Sequence, residues 1–320
     1  MDFSPSVYEH AAYLIGRTPW DVSRDADLLF EAHAEAFRRY AHRPIVVGID
    51  IYNLEAEAYG ATVDRPHGAG IPSIGKPICT SASELSELKP FDPATAGRLA
   101  MVIEVAGRLA RAFPEADVRV PLSGPFSIAG NLVGLETLLC EAIQDPDRVT
   151  DGLRRLVDGQ LGFCEAIHRA GVGIALFESA AAPPLLSPEM FRAIELPSLG
   201  AMTVLCASGV VRDAIPCILG GDTAPILEAL LETGTRYVVC PIETDQEAFM
   251  KIIWDRTNVR VRVNTSSQVL VHGTRDELCR EVERIRRLTA GRENVCLGTG
   301  ALPYDTPPEN VLWLKSLCPG

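Results

Sequence analysis

The sequence predicts an α/β fold, a single-domain (β/α)8 barrel of the TIM type, from three observations. Short β-branched runs alternate along the chain with longer stretches of helical periodicity. The 320 residues, 47% of them apolar, fill one large core without a second domain. No GxGxxG follows the first strand, which removes the main signature of an open, doubly wound sheet.

Residues 1 to about 43 read as an N-terminal helical extension. Leu28, Leu29, Ala32, Ala36, Phe37 and Tyr40 recur at helical spacing between Asp25 and Ala41. Pro44 ends that run before a first strand, Ile45 to Asp50. Further strands are expected at Val118 to Leu122, Gly173 to Glu178, Ile215 to Leu219, Arg236 to Pro241, Val259 to Val263 and Asn294 to Gly298. Helices are expected at Ala94 to Phe113, Asp147 to Ala170, Ser187 to Ala207, Ala224 to Thr233, Arg275 to Thr289 and Pro307 to Leu317. Ser187-Pro188-Glu189 and Thr306-Pro307-Pro308-Glu309 supply start signals. The eighth strand is expected in the irregular stretch between Asn53 and Pro77. Gly60 to Pro90, rich in Gly, Pro and Ser, reads as a lid loop over the barrel mouth.

A formal net charge of −12 argues against a nucleic-acid partner, because phosphate binding needs a basic face. Apolar stretches such as Ile45 to Ile49 fall far short of the roughly 20 residues a bilayer span needs, so no membrane span is expected. The residues Met1 to Pro5 lack the basic and apolar regions of a secretory signal, and a cytoplasmic location is expected. Nine cysteines, an odd number with no CxxC pair, read as reduced thiols.

Several polar residues sit where a barrel places its chemistry, at the C-terminal ends of strands. Asp50 and Glu178 end apolar strand runs and are expected to point into one pocket as catalytic groups. His67, between Pro66 and Gly68-Ala69-Gly70, is a candidate acid, base or ligand in the lid loop. Glu55 and Glu57 share a face only if their segment is extended, and diverge on a helix. Glu243 and Asn264 are further strand-end groups able to hydrogen-bond a substrate. Gly220-Gly221-Asp222 offers backbone N–H groups before a helix start, either for an anion or as a tight turn. Cys217, Cys240 and Cys296 could join His67 in a metal site, with buried core thiols as the simpler reading.

Five segments in order carry a family resemblance: Gly124 to Ala129 with Gly134 and Asp145-Pro146; Glu178 to Phe191 (ESAAAPPLLSPEMF); Gly221 to Leu227; His272 to Thr274; and Leu297 to Asn310 (LGTGALPYDTPPEN). The chain resembles the uroporphyrinogen decarboxylase superfamily and, within it, the corrinoid-linked methyltransferase-like branch. The resemblance implies a barrel enzyme with a pocket lined by Asp50, Glu178 and His67. Asn53, Glu57, Asn131, Gly221, Asp222, Glu243, Asn264, Thr299 and Tyr304 would then contact a small-molecule substrate. It implies a methyl-corrinoid carried by a partner protein, a thiol or pterin as acceptor, and a homodimer as the expected assembly. Zinc in such relatives is held by HxCG and by a cysteine of PGCGLP. Those ligand positions fall here on Ile218, Gly220 and Thr299, none of which supplies an imidazole or a thiolate. The alternative activity is metal-independent decarboxylation of a tetrapyrrole or other acid, for which the arginine-rich RQAGR motif is missing, and the family's tyrosine and histidine fall on Asn131 and Thr299. A third reading is a non-catalytic barrel that binds a corrinoid or tetrapyrrole.

Overall fold

A computed structural model describes residues 1–208 and 215–318. Eight parallel strands make one sheet curled into a nearly closed barrel, with β1 (Asp2–Ser6) followed in the chain by β2 (Ile45–Val46). A small antiparallel hairpin, β3 (Thr62–Asp64) with β4 (Ser73–Lys76), stands outside the barrel. The barrel continues with β5 (Val118–Ser123), β6 (Gly173–Phe177), β7 (Cys217–Ile218), β8 (Tyr237–Cys240), β9 (Arg260–Thr265) and β10 (Val295–Ala301). The strand order is β1-β10-β9-β8-β7-β6-β5-β2, and helices cover the outside.

One expected stave is elsewhere. The eighth strand is β1, inside the region read as helical, while the stretch between Asn53 and Pro77 supplies the hairpin. The five residues Asp2 to Ser6 contain a proline and two serines and no β-branched residue, so composition conceals the strand. Its ladder with β10 shifts register between Ser4 and Ser6, around Pro5, which has no N–H to give. Helices Glu9–Leu14, Pro19–Ser23 and Ala26–Tyr40 follow it.

Local signals set most helix ends. Asp25 accepts the Asp27 and Leu28 N–H groups, and Thr274 with Glu277 forms a reciprocal capping box. The run from Asp147 to Ala170 breaks at Gln160 into Pro146–Gly159 and Leu161–Arg169. The run from Pro188 to Ala207 has a wide π-helical turn at Phe191–Glu195, where Pro197 cannot donate to Ala193. This run is long and apolar enough to cross a bilayer by length and composition alone, and it packs against β6 and neighbouring helices.

Strand alternation sorts side chains into two layers. On β6, Ala175 and Phe177 face the barrel interior with Tyr8, Val46 and Ile51, whereas Ile174 and Leu176 join the core between sheet and helices. On β9, Val261 and Val263 join that outer core, so Arg262 and Asn264 face inward.

Candidate active site

A cavity of about 350 Å³ opens at the C-terminal ends of the strands. Its walls are Ile49, Ile51, Phe177, Ile218 and Leu219, with Tyr8, Glu9, Asp50, Tyr52, Asn53, Arg262 and Asn264 as polar groups and the exposed Ile71 and Glu243 at the rim. A more voluminous groove, about 1190 Å³, runs between the outer helices Gln246–Ile253 and Arg275–Leu288. Among the described residues no strand end reaches that groove, and barrel chemistry belongs at the mouth.

Asp50 lines the cavity, but its carboxylate is already engaged. Arg98 donates from Nη1 to Oδ1 at 2.9 Å and from Nη2 to Oδ2 at 2.7 Å, and Asn53 Nδ2 donates to Oδ2 at 3.1 Å. The same guanidinium donates to Glu57 at 2.7 Å and to the Ser23 carbonyl at 2.8 Å, while Arg24 holds the other Glu57 oxygen at 2.5 Å. Asn53 also donates to the Pro72 carbonyl at 2.8 Å, which ties the hairpin to the mouth. Glu55 and Glu57 diverge on the helix Leu54–Ala58: Glu55 turns inward and accepts the N–H and hydroxyl of Ser123 at 2.6 and 2.9 Å.

The free polar groups of the cavity are others. Arg262, 3% exposed, forms part of the cavity floor, and neither an ion pair nor a hydrogen bond engages its guanidinium among the described residues. Asn264 Oδ1 beside it also lacks a partner. Gly298 faces both, and a Cβ there would lie 2.4 Å from Asn264 Oδ1 and 2.5 Å from Arg262 Cγ. Glu9, at the start of the helix after β1, lines the same cavity, and burial pushes its carboxyl up to about 7. Burial pushes the Tyr8 hydroxyl up to about 12, so it stays protonated at neutral pH. The Tyr52 and Ser179 hydroxyls pair with each other. Together these groups offer one cation for an anionic substrate group and one carboxyl able to exchange a proton near pH 7.

Glu178 is not in this cavity. Alternation along β6 turns it outward, where it caps the helix Pro125–Val133. It accepts the Phe126 and Ser127 N–H groups at 3.1 and 3.2 Å, the Ser127 hydroxyl at 2.5 Å and the Ala180 N–H at 3.1 Å. The expectation that Asp50 and Glu178 share one pocket is therefore corrected by a shift of one strand position. Glu178 also meets the fully buried Glu195, and burial raises both carboxyls above their ordinary range.

The other sequence candidates scatter. His67, expected to line the pocket with Asp50, is exposed in the hairpin loop and does not line the cavity, and Asp50 is occupied by Arg98. Asn131 donates to the Tyr52 carbonyl at 2.6 Å and borders a neighbouring shallow cleft. Gly221, at φ +81°, and Asp222, which accepts the Thr244 hydroxyl at 2.6 Å, form the tight turn after β7. Glu243 sits on the rim, Thr299 accepts the Ser6 N–H at 3.2 Å, and Tyr304 donates to the Arg17 carbonyl at 3.0 Å. Cys217 and Cys240 lie in the core between sheet and helices, and Cys296 packs against Tyr237 and Val239 inside the barrel. The relocated metal site is thus not assembled: strand alternation divides its thiols between two layers, His67 stands in solvent, and no group of three or more His, Cys, Asp or Glu is placed for a metal among the described residues. Ile218 and Gly220 do line the cavity, so zinc would belong here, but these side chains do not fit it.

Residues 5–318 match the family model described as uroporphyrinogen decarboxylase (URO-D). No curated protein sequence matches. Among solved structures, a methyltransferase from Methanosarcina mazei superposes with a TM-score of 0.82 at 20% identity, covering 98% of this chain and 91% of that one. A B12-independent methionine synthase from a Shewanella species, solved with selenomethionine, gives 0.57 at 9% identity, over 91% and 85% of the two chains. At these identities the likenesses establish the barrel.

Proposed function

Because the chain belongs to the uroporphyrinogen decarboxylase family, we propose that it is a methyltransferase moving a methyl group between a corrinoid protein and a small thiol or pterin acceptor. The observation that carries this reading is the cavity: about 350 Å³, largely apolar, with Arg262 as the only Lys or Arg lining it among the described residues. A tetrapyrrole with eight carboxylate arms needs several paired cations, and this wall supplies one. A small acceptor fits, and an apolar mouth excludes the water that competes for a reactive methyl group.

The zinc that would hold a thiol as thiolate has no ligands at Ile218, Gly220 or Thr299, so acceptor activation falls to the chain's own groups. Glu9 is placed to take the thiol proton, its carboxyl at about 7 matching a general base at neutral pH. The sulfur–carbon bond forms as the donor's bond to carbon breaks, and that electron pair stays with the donor. Asp50, paired with Arg98, shapes the mouth.

The test incubates purified protein with methylcobalamin or a methylated corrinoid protein and a panel of thiols and tetrahydropterins. Loss of the methyl-corrinoid spectrum and the mass of the methylated acceptor are followed, and acceptor-dependent transfer that drops in Glu9→Gln is expected. Carbon dioxide release from a carboxylated substrate, with no methyl transfer to any acceptor, overturns the proposal in favour of a lyase. Binding of a corrinoid without turnover overturns it in favour of a carrier.

A further inference from the structure

The arginines of β9 have unlike surroundings. Arg260, toward the other end of the barrel, pairs with Asp2 at 2.6 Å. Arg262, two residues on and nearly fully buried, has no carboxylate within ion-pair distance among the described residues, and its Nε lacks any acceptor. The acids of the same cavity do not answer it: Asp50 is held by Arg98, Glu243 stands on the exposed rim, and neither these two nor Glu9 lies within ion-pair distance of Arg262 among the described residues. Burying a guanidinium without a partner costs several kcal/mol. The fold nevertheless makes room for it, since glycine at 298 leaves the space that the Arg262 and Asn264 side chains occupy.

We propose that Arg262, with Asn264 beside it, is the recognition site for a single carboxylate on the small substrate. The acceptor is then a small carboxylic acid that carries its reactive group at the other end. One lining cation among the described residues calls for one negative charge, which sets aside phosphate esters and polycarboxylates. The planar fork of a guanidinium matches a planar carboxylate, to which it donates two parallel hydrogen bonds. Ile51, Phe177 and Ile218 accommodate the short apolar body between the carboxylate and the mouth. Naming this acceptor class rests on the methyltransferase reading, whereas the carboxylate site itself does not.

The test is binding, independent of turnover. Butyrate, butyramide, butane-1-sulfonate and inorganic phosphate are titrated into the full chain by calorimetry and ligand-observed NMR, and the protein's Tm is read with each. Butyrate is expected to bind and raise Tm, with the other three weaker by about tenfold or more. Arg262→Gln and Arg262→Met are expected to lose butyrate binding by a similar factor and, without ligand, to melt at or above the wild type because an unpaired buried charge is gone. Butyrate binding no tighter than butyramide, sulfonate or phosphate binding tighter than butyrate, or an unchanged affinity in both variants overturns the proposal. Should either variant fail to fold, the four-ligand comparison on the wild type decides alone. Absence of methyl transfer with butyrate binding intact removes the reaction and leaves the site.

Discussion

Arg98→Met is the sharpest test of the view that Asp50 is a structural acid. Asp50 is 1% exposed at its side chain and receives three hydrogen bonds, two of them charged and both from Arg98. Removing the guanidinium while keeping its apolar bulk leaves a buried carboxylate with one neutral donor, Asn53. Breaking a buried pair in this way costs about 3–5 kcal/mol. Glu57 also loses a partner, but it is 18% exposed and keeps Arg24 at 2.5 Å, so its share is under about 1 kcal/mol. The total corresponds to a fall in Tm of roughly 6–15 °C for a chain of this size. Urea unfolding followed by circular dichroism, together with thermal melts, measures it. The double variant Asp50→Asn, Arg98→Met should recover about 2 kcal/mol or more of the loss, because the stranded charge is gone. A single-variant cost below about 1 kcal/mol, or a double variant less stable than Arg98→Met alone, refutes the reasoning.

Three further outcomes follow from the same geometry. Burial raises the Glu178 and Glu195 carboxyls, so the folded state holds protons that the unfolded chain releases above its ordinary glutamate value of 4.5. Their contribution is complete below pH 4.5 and is lost as pH rises through the folded values, at up to about 1.4 kcal/mol per pH unit for each proton retained. Glu195→Gln should flatten that decline in unfolding experiments at pH 5, 6, 7 and 8, and an unchanged slope would remove the pair as its source. Gly298→Ala should cost about 1–3 kcal/mol and weaken butyrate binding, since the new methyl group displaces Arg262 and Asn264; neutral behaviour in both assays counts against the packing described. His67→Ala should change stability by less than about 0.5 kcal/mol, because the side chain is exposed; a larger shift in the melting curve contradicts that placement.

The barrel was legible because its staves are short, apolar and separated by capped helices, and period-2 patterns survive without knowledge of tertiary contacts. β1 was not, since Asp-Phe-Ser-Pro-Ser becomes a strand only by lying beside β10, a partner almost the whole chain away. With β1 misread, Tyr8 and Glu9, which follow it directly, were invisible as cavity residues. Glu178 was placed one residue out of phase, and in a strand that error exchanges the pocket for the helix layer. Arg262 could have been found: Val259 to Asn264 alternates valine with polar residues, which puts Arg260, Arg262 and Asn264 on one inward face. Arg98 gave no signal, because its role depends on Asp50, Glu57 and Ser23 meeting in space.

The position of β1 also bears on the order in which the chain acquires its structure during synthesis. Its only ladder partner among the described residues is β10, with Ser4 beside Gly298, so the first strand leaves the ribosome long before the strand that will hold it. Until β10 arrives, the neighbouring staves β2 and β5 through β9 can zip together in sequence, while Asp2–Ser6 is held by no sheet bond. Glu9 sits just beyond that strand and is carried into the mouth by its pairing. A nascent chain halted before β10 would therefore lack Gly300 and Ala301 from the cavity wall and leave Ser6, Tyr8 and Glu9 unanchored, so the cavity is completed only with the last stave.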